Sequence, residues 1–368
     1  MSIFGGNTLS EQKTVVVGMS GGVDSSVAAY LLKKQGYRVI GVTMQIWQTE
    51  EQAILEDQGG CCGLSAVDDA RRVANHIGIP YYVMNFKDDF KKYVIDYFTG
   101  EYLHGRTPNP CIACNRYVKW ESLLTRAVEI GADYIATGHY ARVVELSNGR
   151  FAIKNSVTAS KDQTYALYNL TQDQLKRTLM PIGSYHKDEV RKIALEAGLP
   201  TAHKHDSQDI CFIPDHDYAG YLEREVPDQI PGPGNFVTKD GIVLGRHKGI
   251  THYTVGQRKG LNLSMGHPVF VTEIRPETNE VVIGEAEDVF SREVYFDQVN
   301  SMENETLDTS IAYGAKVRYA HAVSPCHIDA LGDGKYKAVF EEPVRAATPG
   351  QAIVLYDGDI VAGGGTIL

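Results

Sequence analysis

Short apolar runs alternate with longer, helically periodic segments over the first third of the chain. The apolar runs have the length and composition of buried strands, and they lie at residues 14–17, 39–47, 81–86 and 134–137. The helical patterns lie between them, at residues 25–35, 66–76 and 119–130. Strands and helices that alternate in this way predict an α/β fold, a doubly wound parallel sheet of Rossmann-like type with helices on both faces.

A different pattern begins after residue 214. The segment Pro231-Gly232-Pro233-Gly234 interrupts regular structure, and beyond it short alternating runs are separated by Asp-Gly turns. These runs predict antiparallel strands at residues 269–274, 281–284, 315–319, 336–340 and 352–356. We therefore expect three domains: the α/β domain at residues 1–218, a small middle module at residues 219–290 and a C-terminal antiparallel β-barrel at residues 291–368.

Composition describes an ordinary globular protein with an acidic balance. The 368 residues are 43% hydrophobic and 22% charged, and 36 basic against 46 acidic residues give a net charge of −10. This balance argues mildly against a nucleic-acid partner, although a basic face can exist on an acidic protein. A membrane-spanning helix needs about 18 consecutive apolar residues, and no apolar run in the sequence is that long. The N-terminal segment lacks the features of a signal peptide. We therefore expect a cytoplasmic protein.

A glycine-rich loop follows the first predicted strand and reads Gly18-Met19-Ser20-Gly21-Gly22-Val23-Asp24-Ser25-Ser26. A strand, a glycine turn and a helix N-terminus together make an anion site, because free N–H groups and the helix dipole point at the ligand. The alternative is a plain strand–helix corner, and the loop lacks the Gly-Lys-Ser/Thr ending of a Walker A loop. The order Ser-Gly-Gly-Val-Asp-Ser resembles the loop of the ATP pyrophosphatases. Met44 and Gly138 also fall near the carboxyl ends of predicted strands, where such sheets bind ligands.

Six cysteines are too few for a disulfide scaffold, which leaves catalysis, metal binding or burial as their roles. Pro110 suits the first position of a helix, so Cys111 and Cys114 share a face of its first turn, where thiol pKa values are lowered. Cys211 stands in a second motif at residues 206–214. A zinc half-site is an alternative for the first pair, although no second pair has matching spacing. For the remaining cysteines we expect burial at Cys326 and exposed loop positions at Cys61 and Cys62.

Taken together, these motifs resemble the bacterial tRNA-specific 2-thiouridylases from about residue 14 to residue 368. The glycine loop by itself marks only a superfamily, whereas the two cysteine motifs combined with Gly-Gln-Arg-Lys-Gly at residues 256–260 are specific to this family. Further matching segments lie at residues 138–142, 161–165, 254–261 and 363–365. The resemblance implies ATP-dependent transfer of sulfur to C2 of the wobble uridine in tRNAs for lysine, glutamate and glutamine.

The resemblance also implies roles for individual residues. ATP with Mg²⁺, which would adenylate the C2 oxygen, is assigned to Gly18, Met19, Ser20, Gly21, Gly22, Val23, Asp24, Ser25, Met44 and Gly138. Cys211 matches the persulfide carrier and Cys114 the nucleophile, and a cysteine desulfurase or a sulfur-relay protein is implied as the persulfide donor. The tRNA anticodon stem-loop is assigned to Asn109, Pro110, Cys111, His139, Lys161, Asp162, Gln163, Arg318, Tyr319 and Gln351. Arg258, Lys259 and Lys316 are further phosphate-contact candidates.

Cys111 departs from the family pattern, because many members carry an aspartate at this position. Thiolates at Cys111, Cys114 and Cys211 could alternatively hold a four-iron–four-sulfur cluster with one open iron. Two other functions remain as alternatives. An amide-forming synthetase of the same superfamily needs an ammonia source that the sequence does not display. A non-catalytic tRNA-binding module leaves the glycine loop and both cysteine motifs unexplained.

Overall fold

The computed structural model describes residues 12–46, 64–204, 210–213 and 215–368. The first elements are β1 (Thr14–Gly18), α1 (Val23–Lys34), β2 (Arg38–Gln45), α2 (Leu64–Ile77), β3 (Tyr81–Asn85), α3 (residues 87–103), α4 (residues 110–129) and β4 (Tyr134–Ala136). They are followed by β5 (Ala141–Glu145), β6 (Phe151–Asn155), α5 (Gln172–Lys176), β7 (Thr178–Leu179), α6 (Lys187–Glu196) and α7 (Tyr218–Glu225). Among these strands, β3, β2, β1, β4 and β7 form in that order one parallel sheet.

Both faces of the parallel sheet are covered, as the predicted doubly wound fold requires. Val15 and Val17 of β1 are fully buried in a core that includes side chains of α1, α2 and α6. Val16 points to the opposite face and joins a second core with Phe98 of α3 and Trp120 of α4. Because successive strand residues alternate between faces, a continuous valine run is what burial on both sides demands.

Helices α3 and α4 each change their hydrogen-bonding pattern along their length. In α3, a π-helical stretch at Lys91–Ile95 separates α-helical turns at Lys87–Phe90 and Asp96–Leu103. In α4, a short α-helical turn at Pro110–Ala113 leads into a π-helical stretch at Cys114–Leu123 and then into Leu124–Glu129. The predicted helix at residues 119–130 therefore begins nine residues earlier, at Pro110, because Pro110 and its neighbour Asn109 start it.

The middle module is a small mixed sheet. Its strands are β8 (Asn235–Val237), β9 (Val243–Arg246), β10 (Phe270–Arg275) and β11 (Glu280–Gly284), in the order β10-β11-β8-β9. They cover a core of their own, centred on Phe236, Tyr253 and Val271. The predicted strands at 269–274 and 281–284 lie within one residue of β10 and β11.

The C-terminal strands close into an antiparallel barrel. They are β12 (Phe290–Ser301), β13 (Tyr313–Lys316), β14 (Ser324–Gly332), β15 (Lys335–Arg345), β16 (Ala352–Asp357) and β17 (Ile360–Ile367). The first half of β12 pairs with β15 and its second half pairs with β17, so the sheet returns on itself. Closure removes the unpaired edges of the sheet. The predicted parallel sheet, middle module and β-barrel are thus all confirmed.

The barrel and the first domain share a β-sheet and an apolar core. The β5–β6 hairpin, at residues 141–155, extends the barrel sheet through a pairing of Lys154 with Ile360. Met302, Val354 and Tyr356 from the barrel region are buried in the same core as the inner faces of α3 and α4. The two bodies therefore share apolar surface.

Several sequence predictions fall outside the described residues. These are the N-terminal segment, the predicted loop at residues 48–60 with Cys61 and Cys62, and residues 206–209 and 214 of the second cysteine motif. Within the described ranges, the structure has no helix with the length and apolar character needed to cross a membrane.

Candidate active site

The glycine loop joins β1 to α1 and is closed by its own serines. The Ser26 and Ser25 hydroxyls donate to the carbonyl oxygen of Gly22 at 2.7 and 3.2 Å, and the Ser20 N–H donates to Ser25 Oγ at 3.2 Å. Gly22 is the N-cap of α1 and has no side chain with which to accept from the first-turn N–H groups. A helix start of this kind, beyond the carboxyl end of a central parallel strand, fits a phosphate group.

At two positions of the predicted ATP-binding set, another part of the backbone lies so close that only glycine fits. Gly21 has a φ of +69°, and a Cβ there would lie 2.3 Å from the Ala66 carbonyl oxygen of α2. A Cβ on Gly138 would lie 2.6 Å from the Ser25 backbone nitrogen. Gly138 therefore holds the end of β4 against the loop, and this contact brings two distant parts of the predicted nucleotide site together.

The other predicted ATP residues divide into buried and accessible side chains. Met19 and Val23 are 2% and 3% exposed, so their side chains belong to the core and only their backbone faces the loop. The Met19 N–H donates to the Val42 carbonyl at 2.8 Å. Met44 is half-buried on β2 beside the same sheet edge.

Lys187, a residue that the sequence analysis did not single out, holds the acidic residue of the loop. Its Nζ lies 2.8 and 2.9 Å from the two carboxylate oxygens of Asp24, and the Tyr140 hydroxyl donates to the same carboxylate at 2.9 Å. The Lys187 side chain is only 12% exposed. A sequence signal was present, because Lys187 is the first residue of α6, where a positive charge opposes the helix dipole.

His139 lies between the loop and α4. Its Nδ1 is 2.7 Å from Thr137 Oγ1, and its ring centroid is 5.5 Å from that of Trp120. Burial, with a smaller contribution from Lys119, holds the pKa of His139 well below its usual range. His139 is therefore neutral at pH 7, and this neutrality disfavours an ionic contact with tRNA phosphate.

The first cysteine motif forms the start of α4. Asn109 is the N-cap, and its Oδ1 accepts from the Ile112 N–H at 3.3 Å. Cys111 is exposed, whereas Cys114 is half-buried and packs against the core beneath α4. The next residue, Asn115, donates to the Ala166 carbonyl at 2.8 Å and so fixes this turn against the segment that carries the Lys161–Tyr165 motif.

A loop of the barrel holds the cysteine motif from the other side. The Thr107 N–H donates to the Pro349 carbonyl at 2.8 Å. The Gln351 side-chain amide donates to the carbonyls of Thr107 and Pro108, at 3.0 Å each. Gln351, predicted to contact tRNA, thus positions the backbone that leads into the helix of Cys111.

Asp162 and Gln163 also make contacts within the protein. The Asp162 carboxylate accepts from the N–H groups of Ser156 and Thr164, and Gln163 Oε1 accepts from the Tyr140 N–H at 2.9 Å. The Tyr319 hydroxyl donates to the Asp162 carbonyl at 3.0 Å. These bonds connect Tyr140, which donates to the Asp24 carboxylate, with Tyr319 of the barrel.

Tyr319 and Arg318 are neighbours with different surroundings. Tyr319 is 49% exposed, and partial burial of the ring, with a smaller contribution from the Asp162 charge, raises its pKa. Arg318 donates to the Ala346 and Val255 carbonyls at 3.0 and 2.8 Å and to the Thr348 hydroxyl. Arg318 therefore bridges the barrel and the middle module, and Tyr319 remains the accessible member of the pair.

The second cysteine motif packs beside α3. Phe212 contacts the rings of Phe90, Phe98 and Tyr221 at centroid distances of 5.7, 5.3 and 5.3 Å. This anchor holds Cys211, which is half-buried and packs against the same core as Cys114. Within the described residues, which include Cys111, Cys114 and Cys211, no three His, Cys, Asp or Glu side chains are arranged to hold a metal ion. This geometry gives the iron–sulfur alternative no support.

The Gly-Gln-Arg-Lys-Gly motif is a turn of the middle module. Gln257 accepts from the Thr254 N–H and donates to the Lys259 carbonyl, both at 3.0 Å. The turn leaves Arg258 and Lys259 exposed to solvent. A rigid turn with two exposed cations is suited to contact with phosphate.

Comparison with known proteins gives matches from residue 13 to residue 367. Three family models match in succession: a tRNA methyl transferase HUP domain at residues 13–215, a tRNA methyl transferase PRC-barrel domain at 219–285 and an aminomethyltransferase beta-barrel domain at 291–367.

Two relatives bear the name tRNA-specific 2-thiouridylase MnmA. The one from Lachnoclostridium phytofermentans is 65% identical over 97% of this chain and 99% of its own. The one from Clostridioides difficile is 55% identical over 96% of this chain and 98% of its own. A solved 4-thiouridine synthetase–RNA complex with ATP aligns at 20% identity and a TM-score of 0.32, over 59% of this chain and 51% of its own.

Proposed function

Because the chain belongs to the tRNA-specific 2-thiouridylase family, we propose that it catalyses ATP-dependent transfer of sulfur to C2 of the wobble uridine of tRNA. Lysine, glutamate and glutamine tRNAs are the substrates that the family resemblance implies. A tRNA substrate also accounts for the cytoplasmic location expected from the sequence. Two of the family models are described as tRNA methyl transferase domains, but the relatives at 65% and 55% identity are named 2-thiouridylases, and the two cysteine motifs supply the thiols that sulfur transfer requires.

The adenylation step belongs to the glycine loop. The C2 oxygen of uridine attacks the α-phosphorus of ATP, and pyrophosphate leaves as the bond to its bridging oxygen breaks. The first-turn N–H groups of α1 are suited to hold the departing phosphates, in a loop whose shape the serine hydroxyls maintain. Asp24 supplies a hard carboxylate ligand for Mg²⁺, which neutralises phosphate charge when it is bound. Gly138 supports this role, because without a side chain it lets the end of β4 pack directly against the loop backbone.

The sulfur-transfer step belongs to Cys114 and Cys211. The terminal sulfur of a Cys211 persulfide attacks C2, and AMP leaves with the former C2 oxygen. The Cys114 thiolate then attacks Cys211 Sγ, the bond from Sγ to the transferred sulfur breaks, and 2-thiouridine is released. The resulting Cys114–Cys211 disulfide is reduced by an external thiol. A cysteine desulfurase or a relay protein supplies the persulfide sulfur.

Recognition of tRNA is assigned to groups that remain accessible around the cysteine motif. Cys111 is exposed at the start of α4, next to the half-buried cap residue Asn109, and the half-exposed ring of Tyr319 offers a face on which an extruded base can stack. Lys161, Arg258 and Lys259 are the proposed phosphate contacts. Asp162, Gln163, Arg318 and Gln351 act on this surface indirectly, by holding its segments.

One observation carries the proposal beyond family membership. A continuous set of hydrogen bonds runs from Asp24 through Tyr140 and Gln163 to the segment that Tyr319 contacts. Asn115, next to Cys114, donates to the Ala166 carbonyl of the same segment. The glycine loop and the cysteine helix are therefore bonded to one segment, which supports their acting on the same nucleotide.

Release of pyrophosphate from ATP, with an unmodified tRNA transcript as the trigger, tests the proposal. We expect release to depend on the wobble uridine and to be followed by 2-thiouridine formation when a desulfurase and cysteine are added. Cys114→Ser and Cys211→Ser should retain pyrophosphate release but form no 2-thiouridine. Release that occurs equally with a transcript lacking the wobble uridine would contradict the proposal and favour another adenylating synthetase.

A further inference from the structure

Lys187 occupies a position that helix energetics disfavour. It is the first residue of α6, after the N-cap His186, and the two following residues are acidic, as is usual in a first turn. A cation at this end faces the positive pole of the helix dipole, which is an unfavourable interaction. The His186 N–H donates to Glu189 Oε2 at 2.6 Å, so the capping box keeps the backbone at this residue fixed.

The Lys187 ammonium points to the glycine loop that precedes α1. It contacts both carboxylate oxygens of Asp24, the second residue of α1, and it lies 5.5 Å from the centre of the Tyr140 ring. With an exposed side-chain fraction of 12%, it is a largely desolvated cation next to the N-terminus of α1. Charge-assisted contacts are strong in such surroundings.

We propose that Lys187 is a phosphate-binding residue of the adenylation step. When ATP binds at the loop, the ammonium moves from Asp24 to the oxygens of the leaving pyrophosphate, and the freed carboxylate becomes available to Mg²⁺. Asp24 is then the residue that holds Lys187 in place before the nucleotide arrives. This inference rests on the proposed use of the loop for ATP, and it adds the residue that neutralises the leaving group.

A purely structural role makes a different prediction. If Lys187 only neutralises Asp24, its removal matters because a bare carboxylate then repels phosphate, and replacing Asp24 as well abolishes the effect. If Lys187 contacts phosphate itself, the effect persists without Asp24. A double-mutant cycle between the two residues separates these cases.

The experiment is calorimetric binding of α,β-methylene-ATP and of AMP, each with Mg²⁺ and without tRNA. We expect Lys187→Met to weaken binding of α,β-methylene-ATP by about 10- to 100-fold, the value of one hydrogen bond to a charged group, and to leave AMP binding unchanged. Lys187→Arg should restore most of the lost affinity. Lys192→Met is the matched control, since Lys192 lies on the same helix with a 75% exposed side chain, and it should change neither affinity.

Lys187→Gln, which keeps a donor towards Asp24 but no charge, guards against a folding defect in the methionine variant. We expect the same selective loss with AMP binding intact. A proportional loss for both nucleotides, no loss for either, or a loss that disappears in an Asp24→Asn background would overturn the proposal. The binding assay contains no tRNA, so its result does not depend on the thiolation reaction. A wild-type protein that binds ATP but forms no 2-thiouridine in a separate assay with tRNA would refute the proposed function and leave the binding test valid.

Discussion

The described cysteines differ in burial, and this difference is consistent with the separate roles proposed for them. Cys326 is 1% exposed in the barrel core, and burial raises its pKa to about 12, which confirms the expected structural role. Cys111 is exposed at the start of α4, and Cys114, one turn later, is half-buried. A thiol at a helix start is favoured as thiolate, whereas a thiol in an apolar core is not.

Replacement of Cys111 by the residue commoner in the family distinguishes the two chemistries considered for the cysteines. Under the persulfide route, Cys111→Asp retains thiolation at a rate comparable with wild type, because only Cys114 and Cys211 exchange sulfur. Cys114→Ser and Cys211→Ser lose about a thousandfold or more. The measurement is 2-thiouridine formed per minute, determined by nucleoside mass spectrometry.

Iron content provides the control for this series. Wild-type and Cys111→Asp proteins purified without oxygen should both contain no stoichiometric iron. An inactive Cys111→Asp protein that has lost iron present in the wild type would revive the cluster route, in which Cys111 is an iron ligand.

At the scale of elements, the cysteine helix is held in place by the barrel loop. Gln351→Ala removes two hydrogen bonds to the carbonyls of Thr107 and Pro108. We expect thiolation to slow by about 5- to 30-fold, corresponding to about 1–2 kcal/mol, while the dissociation constant for ATP is unchanged. Hydrogen exchange should be faster at the Thr107 amide, which bonds to the same barrel loop. Unchanged exchange combined with weakened tRNA binding would instead identify Gln351 as a direct tRNA ligand.

Glu303 offers a test of the packing between the barrel and the β5–β6 hairpin. Burial, with a contribution from Asp357, raises its pKa from 4.5 to about 7. A carboxyl with a raised folded pKa binds more protons in the folded state, so stability falls as the pH rises from about 4.5 to about 7. Glu303→Gln should therefore raise the free energy of unfolding at pH 8 by about 1–2 kcal/mol, after allowance for partial exposure, and give no gain at pH 4. An equal gain at both pH values in denaturant titrations would contradict this assignment.

Strands and helices of the α/β domain were predictable because their burial is regular. β1 is apolar throughout, since both faces are covered, and its predicted bounds differ from the observed ones by one residue. By contrast, β12 was missed, because the charged residues Arg292 and Glu293 are both exposed in succession and no strict alternation is visible. For α4, Pro110 indicated the start correctly, but a helical period was recognised only from residue 119, because the π-helical stretch at Cys114–Leu123 breaks the 3.6-residue period.

The site was predictable where a motif is local and less so where it is assembled from distant segments. The glycine loop and the Asn109–Cys114 segment are contiguous, and their geometry follows from their own residues. Lys187 is 163 positions from Asp24 in sequence, and its unusual place at a helix start does not identify Asp24 as its partner. Arg318 and Gln351 were assigned to tRNA, but their observed partners are backbone carbonyls that only the folded chain brings within reach.

At the scale of the whole molecule, direct contacts join the α/β domain, the middle module and the barrel. Arg318 joins the barrel to the middle module, Gln351 joins it to the cysteine helix, and the shared core of Trp120 and Val354 joins it to the parallel sheet. A net charge of −10 is compatible with tRNA binding because the proposed contacts are local cations on separate bodies. Removing the barrel would expose the shared core, so point variants are the sounder tests of its role.

The central claim is that the glycine loop and the cysteines act on the same uridine. A tRNA carrying oxygen-18 at C2 of its wobble uridine, incubated with the protein, ATP, a cysteine desulfurase and cysteine, tests this claim directly. The account predicts that mass spectrometry finds the label in AMP and finds unlabelled 2-thiouridine in the tRNA, in equal amounts. Thiolated tRNA formed alongside unlabelled AMP would contradict it, because the oxygen would then have left without adenylation.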